Sequence, residues 1–118
     1  MTIKFINKVC IYGAGAIGGW LGVKLSHAGC RVSVVARGAT LQALQKNGLQ
    51  LVEASKQHSV SVQASANPAE LGVQDVVIIA VKAPALRDVA LQIAPLIGPD
   101  TVVDGELVFE RAVTLYVH

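Results

Sequence analysis

Aromatic side chains are nearly absent from this chain, at 4% of 118 residues, and charged ones make up only 15%. Large rings cannot then build the core. With 53% hydrophobic residues it must come from Val, Leu, Ile and Ala, the composition of strands buried on both faces. Neither sign of charge dominates: ten Lys plus Arg against eight Asp plus Glu leave +2, which argues against a phosphate-neutralising surface and a nucleic-acid partner. Two cysteines occur, Cys10 and Cys30, in no CxxC and with no His-rich neighbour. Neither a zinc site nor a redox pair is indicated, and both read as small core residues of a reducing compartment. Long apolar runs are missing, since the longest, Val76 to Val81, is far too short to span a bilayer. Lys4 and Lys8 before a mildly apolar stretch, and Ala28-Gly29-Cys30, imitate a targeting signal, but Lys24 and the helix-spaced glycines argue against one. The expectation is one compact domain in a cytoplasmic protein with no membrane partner.

What is present is an alternation of strands and helices. Lys8 to Tyr12 is a β-branched, apolar run that stops at Gly13 and predicts a buried strand. From Ala16 to Ala28 the period becomes helical, with Ile17, Leu21, Leu25 and Ala28 on one stripe and Gly29 as the stop. Arg31 to Ala36 predicts a second strand, separated from the first by the length a βαβ crossover requires. Leu41 and Leu44 predict a short helix ending at Asn47-Gly48. Leu49 to Val52 and Ser59 to Val62 alternate around the polar Ala54 to Gln57, which predicts a hairpin. Asn67-Pro68-Ala69-Glu70 carries a cap, a first-position proline and a first-turn acid, so it should open one helical turn. Asp75 to Val81 is the strongest strand, with Lys82 at its carboxyl end. Pro84 opens a further helix with Leu86, Val89, Ile93 and Leu96 on one side, and Pro95 tightens or ends it. Thr101 to Val103 begins another strand, after which Asp104-Gly105 is a turn signal and the pattern becomes ragged to His118. The fold class this predicts is α/β: a Rossmann-type, doubly wound, mostly parallel sheet with the Val9 strand central and helices on both faces. Residues 1–103 form that domain and 104–118 a divergent tail with room for one or two extra strands.

Gly13-Ala14-Gly15-Ala16-Ile17-Gly18 matches GxGxxG. Alone the match is weak; following a predicted strand, opening a predicted helix and preceding a second strand, it meets the conditions of a dinucleotide-binding fingerprint. Gly13 permits the tight turn, Gly15 lets a pyrophosphate approach the backbone, and Gly18 lets the helix pack closely on the sheet. N–H groups and the helix dipole then meet the diphosphate. NAD-specific versions end the second strand in Asp or Glu, which takes the ribose hydroxyls. Here that end reads Ala36-Arg37-Gly38, so a guanidinium stands where a 2′-phosphate would lie and NADP(H) is the expected cofactor; the alternative is a solvated strand-end charge. Lys82 closes its strand on the carboxyl edge where ligands of open α/β folds gather, or is an ordinary terminal lysine. Trp20 reads as a half-buried residue at the core's edge. His27, His58 and His118 are too dispersed in sequence for a metal site, and no Ser-His-Asp or Cys-His arrangement is visible.

From Lys8 to Val103 the sequence resembles the cofactor domain of the 2-dehydropantoate 2-reductases, or ketopantoate reductases. The carriers are Val9 to Gly19, the Ala36-Arg37 strand end, the hairpin around Ser55, and Asp75 to Ala83. The resemblance implies that the glycine loop and Arg37 bind NADPH and that Lys82 lies at the cofactor. It also implies an NADPH-dependent reduction of the 2-keto acid 2-dehydropantoate to pantoate, for pantothenate and coenzyme A synthesis. In that family a second, helical domain supplies the catalytic lysine, and nothing in this chain matches it. After Gly98-Pro99-Asp100 the family runs into an Asn-Gly motif, whereas here Asp104-Gly105-Glu106-Leu107-Val108-Phe109 follows, a segment that resembles a later family hairpin as though an internal portion were missing. The expectations are therefore a cofactor-binding part without its own catalytic residue, and a homodimer or aggregation through uncovered apolar surface. The alternatives are a free-standing nucleotide-binding module and the Rossmann half of another two-domain dehydrogenase.

Overall fold

Residues 6–13 and 16–104 are described by the computed structural model. Seven strands and three α-helices alternate along them: β1 (Lys8–Tyr12), α1 (Ala16–His27), β2 (Arg31–Val35), α2 (Gly38–Asn47), β3 (Leu49–Glu53), β4 (Lys56–Val60), β5 (Gln63–Ser65), β6 (Val76–Ile79), α3 (Leu86–Gln92) and β7 (Val102–Asp104). Five of the strands form one parallel sheet in the order β5-β2-β1-β6-β7, and β3 and β4 form a separate antiparallel hairpin. As the sequence predicts, β1 is central, with Val9 opposite Val32 on one side and Val76 on the other.

Side-chain alternation along these strands divides the core into two layers. Val9, Ile11, Val32, Val34, Val76 and Ile78 point to one face, where Leu21 and Val23 of α1, Leu44 of α2 and Leu49 of the hairpin cover them. Cys10, Tyr12, Val35 and Val77 point to the other, against Leu71, Val89 of α3 and Leu96. Burying a Val or Ile side chain fully is worth about 1.5–3 kcal/mol, so β1, β2 and β6, each covered on both faces, carry most of the stabilisation. At the amino edge Asp75 ties β1 to β6: its Oδ2 accepts from the Asn7 N–H at 2.9 Å and the Lys8 N–H at 2.8 Å.

Four elements differ from the sequence-based expectation. The buried side of α1 is Leu21, Gly22 and Val23, with Leu25 half-buried and Ala28 exposed. The helix is sandwiched between sheet and hairpin, so its buried arc is wider than a single stripe. The hairpin turn is two residues, Ala54 and Ser55 at φ of 51° and 65°, and β4 starts at Lys56 rather than Ser59. Positive φ at both central residues matches the twist of the flanking strands, although Ala and Ser are unusual there. β5 was not expected; it holds its place by pairing Ser33, Val34 and Val35 with Gln63, Ala64 and Ser65. The helix expected from Pro84 to Leu96 is broken into a 3-10 turn (Ala83–Ala85), α3, and a second 3-10 turn (Ala94–Leu96) containing Pro95, which has no N–H to continue the ladder.

Asn67 caps the 3-10 turn Pro68–Glu70 as expected, accepting from the Ala69 N–H at 3.1 Å. The tail beyond Asp104, including the segment from Gly105 to Phe109, lies outside the described residues. No helix among the described residues is long and apolar enough to cross a membrane.

Candidate functional site

The carboxyl ends of β1, β2 and β6 converge on Gly13. Its N–H donates to the Val35 carbonyl at 2.9 Å, and the Ala80 N–H donates to the Tyr12 carbonyl at 2.9 Å, so the turn after β1 is locked to both neighbouring strands. Gly13 sits at φ +99°, and a Cβ there would lie 2.7 Å from Val81 Cγ1; both the conformation and the space demand glycine. Ala14 and Gly15 lie outside the described residues. Ala16, Ile17 and Gly18 form the first turn of α1, where N–H groups have no intrahelical partner and the dipole is positive. Close approach of α1 to its surroundings is visible at Gly22, where a Cβ would collide with Leu49 Cδ1 and lie 3.1 Å from Ile11 Cδ1.

Beside this turn lies a cavity of about 270 Å³. It is lined by the buried Tyr12, Val35 and Val89, by Gly13 and Val81 at the strand ends, and by the exposed Arg37 and Thr40. Arg37 is the residue just before α2, in extended conformation and exposed, and its guanidinium Nη2 donates to Gln92 Oε1 at 3.3 Å. The Tyr12 hydroxyl donates to the same oxygen, also at 3.3 Å. Burial raises the Tyr12 phenol above its ordinary pKa, against the lowering effect of the Arg37 charge, with Cys10 and Asp88 adding to the rise. The hydroxyl therefore remains a neutral donor. Asp88, one turn before Gln92 on α3, also lines the cavity. The cavity thus offers an apolar slot with one guanidinium and one carboxylate at its edges.

The structure brings Gly13 and Arg37 together here. Lys82 follows β6 at the same edge and is exposed, but Val81 and Ala85 line the cavity while it does not; its carbonyl accepts from the Ala85 N–H at 2.9 Å. Tyr12, Thr40, Asp88 and Gln92 were missed by sequence reasoning. Tyr12 was within reach, being the last residue of the strand that feeds the glycine turn. Asp88 and Gln92 carry no signal beyond being four apart on one helix.

Two further readings need correction. His27 and His58 are not dispersed in space: the hairpin folds over the end of α1 and sets their rings edge to face, with centroids 5.7 Å apart. No third His, Cys, Asp or Glu joins them in a metal-binding group among the described residues, and His118 lies outside those residues. Cys10 is a core residue, as expected, and burial pushes its thiol up to about 11. Cys30 is only half-buried.

Comparison with known proteins places this geometry in context. The sequence model of ketopantoate reductase PanE/ApbA matches residues 9–104. A 2-dehydropantoate 2-reductase from Mesorhizobium japonicum is 50% identical over 95 residues, which is 80% of this chain and 29% of that protein. The crystal structure of a candidate ketopantoate reductase from Ralstonia solanacearum MolK2 superimposes with a TM-score of 0.80 at 57% identity, covering 84% of this chain and 31% of its own. A D-mandelate dehydrogenase solved with NADH and anilino(oxo)acetate superimposes with a TM-score of 0.71 at 25% identity, covering 92% of this chain and 37% of its own. The chain thus spans about three tenths of the length of the first two relatives.

Proposed function

The chain belongs to the ketopantoate reductase PanE/ApbA family, matched over residues 9–104, and from that membership we propose that it is the NADP(H)-binding part of an oxidoreductase reducing 2-dehydropantoate to pantoate. In this reading residues 1–103 are the cofactor domain, and the ketone is held by parts of the enzyme that match nothing here. One observation carries the cofactor assignment: Arg37 follows β2 and lines the cavity with Gly13, and the strand end bears no carboxylate. A guanidinium with Thr40 beside it is a fitting donor set for a phosphate.

The bound cofactor would supply a hydride to the ketone carbon, leaving an oxyanion to be protonated. This chain's residues prepare that step. Gly13 keeps the turn tight, the fingerprint Ala14 to Gly18 is assigned to the diphosphate, which the first turn of α1 would meet with its free N–H groups, and the buried Tyr12, Val35 and Val89 would shield the adenosine end from water. Lys82 is assigned to cofactor binding by the family resemblance, from its place at the end of β6. The oxyanion is assigned to none of these residues, and positioned donors must fill that role for hydride transfer to proceed. The fold likeness to D-mandelate dehydrogenase favours a second reading, a reductase of another 2-keto acid using NADH; Arg37 argues against its cofactor.

The test follows NADPH absorbance with purified protein and ketopantoate. The chain alone should give no sustained turnover. Fused to the remaining portion of the Mesorhizobium japonicum relative it should turn over. A fusion that binds NADPH yet reduces another 2-keto acid in preference would replace the substrate assignment. Turnover by the chain alone, abolished by Lys82→Ala, would show that it carries its own catalytic site.

A further inference from the structure

We infer that Gln92 is a positioning residue for cofactor discrimination: it holds the Arg37 guanidinium at the cavity, so that a 2′-phosphorylated adenosine is distinguished from an unphosphorylated one. The inference rests on the assignment of Arg37 to the 2′-phosphate made above.

Gln92 ends α3 and is exposed, so packing does not explain its contacts. Its Oε1 accepts from both Arg37 Nη2 and the Tyr12 hydroxyl, each at 3.3 Å. An amide oxygen has two lone pairs, and both are engaged. The two donors differ in how firmly packing holds them. Tyr12 is 5% exposed at the end of the central strand, in register with Val35 and Ile79. Arg37 is a long, exposed side chain at the start of α2. Gln92 therefore ties the exposed guanidinium to a packed phenol.

The neutrality of the acceptor matters as much as its position. Asp88 lines the same cavity four residues earlier on α3, yet the hydrogen bond of Arg37 goes to the amide. A guanidinium paired with a carboxylate would meet an incoming phosphate with its charge already offset. Held by an amide, it keeps its full charge and leaves its other N–H donors for a bidentate grip. Ordering such a side chain before the ligand arrives removes part of the entropy lost on binding.

The experiment titrates the chain with adenosine 2′,5′-bisphosphate and with adenosine 5′-monophosphate, and reads the ratio of the two affinities. The parent should prefer the bisphosphate. Gln92→Leu removes both hydrogen bonds and should lower the ratio roughly fivefold, in keeping with a lost preorganisation. Gln92→Glu keeps the size and both acceptor contacts but adds a charge, and should lower the ratio further. A packing role would leave the glutamate variant like the parent, and thermal melts of both variants serve to separate folding from recognition. If both variants keep the parental ratio while Arg37→Ala loses it, the role of Gln92 is overturned and that of Arg37 stands. If Arg37→Ala also keeps the ratio, the assignment of Arg37 falls and the role of Gln92 falls with it.

Discussion

Gly13 lies against Val81 with room for a hydrogen and none for a methyl group, since a Cβ on Gly13 would come within 2.7 Å of Val81 Cγ1 and 2.9 Å of the Ala80 carbonyl oxygen. The contact joins the turn after β1 to the end of β6, at the point where the cavity opens. Gly13→Ala should therefore destabilise the fold by about 1–3 kcal/mol, from the strained φ together with the clash. Trimming the neighbour in Gly13→Ala/Val81→Ala relieves the side-chain overlap but neither the carbonyl contact nor the +99° backbone angle, so stability should return only in part. Urea unfolding of both variants measures this, and a single variant as stable as the parent would contradict it.

Asp75 predicts a second effect. Its Oδ2 takes two backbone N–H groups at the start of β1, and bonds to a charged acceptor are stronger than neutral ones. Asp75→Ala should cost about 1–3 kcal/mol in unfolding free energy. Asp75→Asn, which keeps an oxygen acceptor, should lose less. Equal losses in the two variants would mean that the charge and the hydrogen bonds are not what join β1 to β6.

Much of this fold is legible in the sequence because its central strands are buried on both sides. The apolar runs at Val9, Val32 and Val76 read as buried strands, and the GxGxxG turn between the first two marks them as a βαβ unit. The rest depends on tertiary context. Gln63 to Ser65 has no apolar alternation, and becomes a strand through pairing with β2. The polar Ala54 to Gln57 marks a hairpin but not its tightness, and it is the register of Glu53 with Lys56 that makes the turn two residues long. At the site, Arg37 is legible because the strand end fixes its location. Gln92 is not, because its meaning comes from Tyr12 and Arg37, which lie 80 and 55 residues away in the chain.

The two thiols should react very differently. Burial pushes Cys10 up to about 11, so at pH 8 it is protonated and enclosed, whereas Cys30 is half-buried near the start of β2. A thiol reagent at pH 8 should label one cysteine quickly under native conditions and two in denaturant, with Cys30→Ala abolishing the fast phase. The sign of the linkage follows. The folded state favours the neutral thiol, so its contribution to stability is present below the ordinary value near 9 and is lost as pH rises toward 11. Alkaline unfolding of Cys10→Ala should show a shallower loss over that window, and an unchanged slope would contradict it.

Glu53 sits in the opposite case. Its carboxylate accepts from Lys24 at 3.0 Å, and that hydrogen bond and charge hold it below its ordinary pKa. Any stabilisation from the pair is present at neutral pH and fades as pH falls through the lowered value. Lys24→Met should move the Glu53 titration upward in carboxyl NMR. Because both side chains are largely solvated, at 44% and 46% exposure, the melting temperature at neutral pH should hardly change. A titration that stays in place would remove Lys24 as the cause.

On the proposed function, Arg37 selects a 2′-phosphorylated dinucleotide at this cavity. Isothermal titration of the chain with NADPH and with NADH, repeated on Arg37→Asp, tests it most directly. The parent should bind NADPH more tightly by at least about tenfold, roughly 1.4 kcal/mol, and the aspartate variant should lose or reverse this preference. Equal affinity for the two cofactors in the parent chain would contradict it.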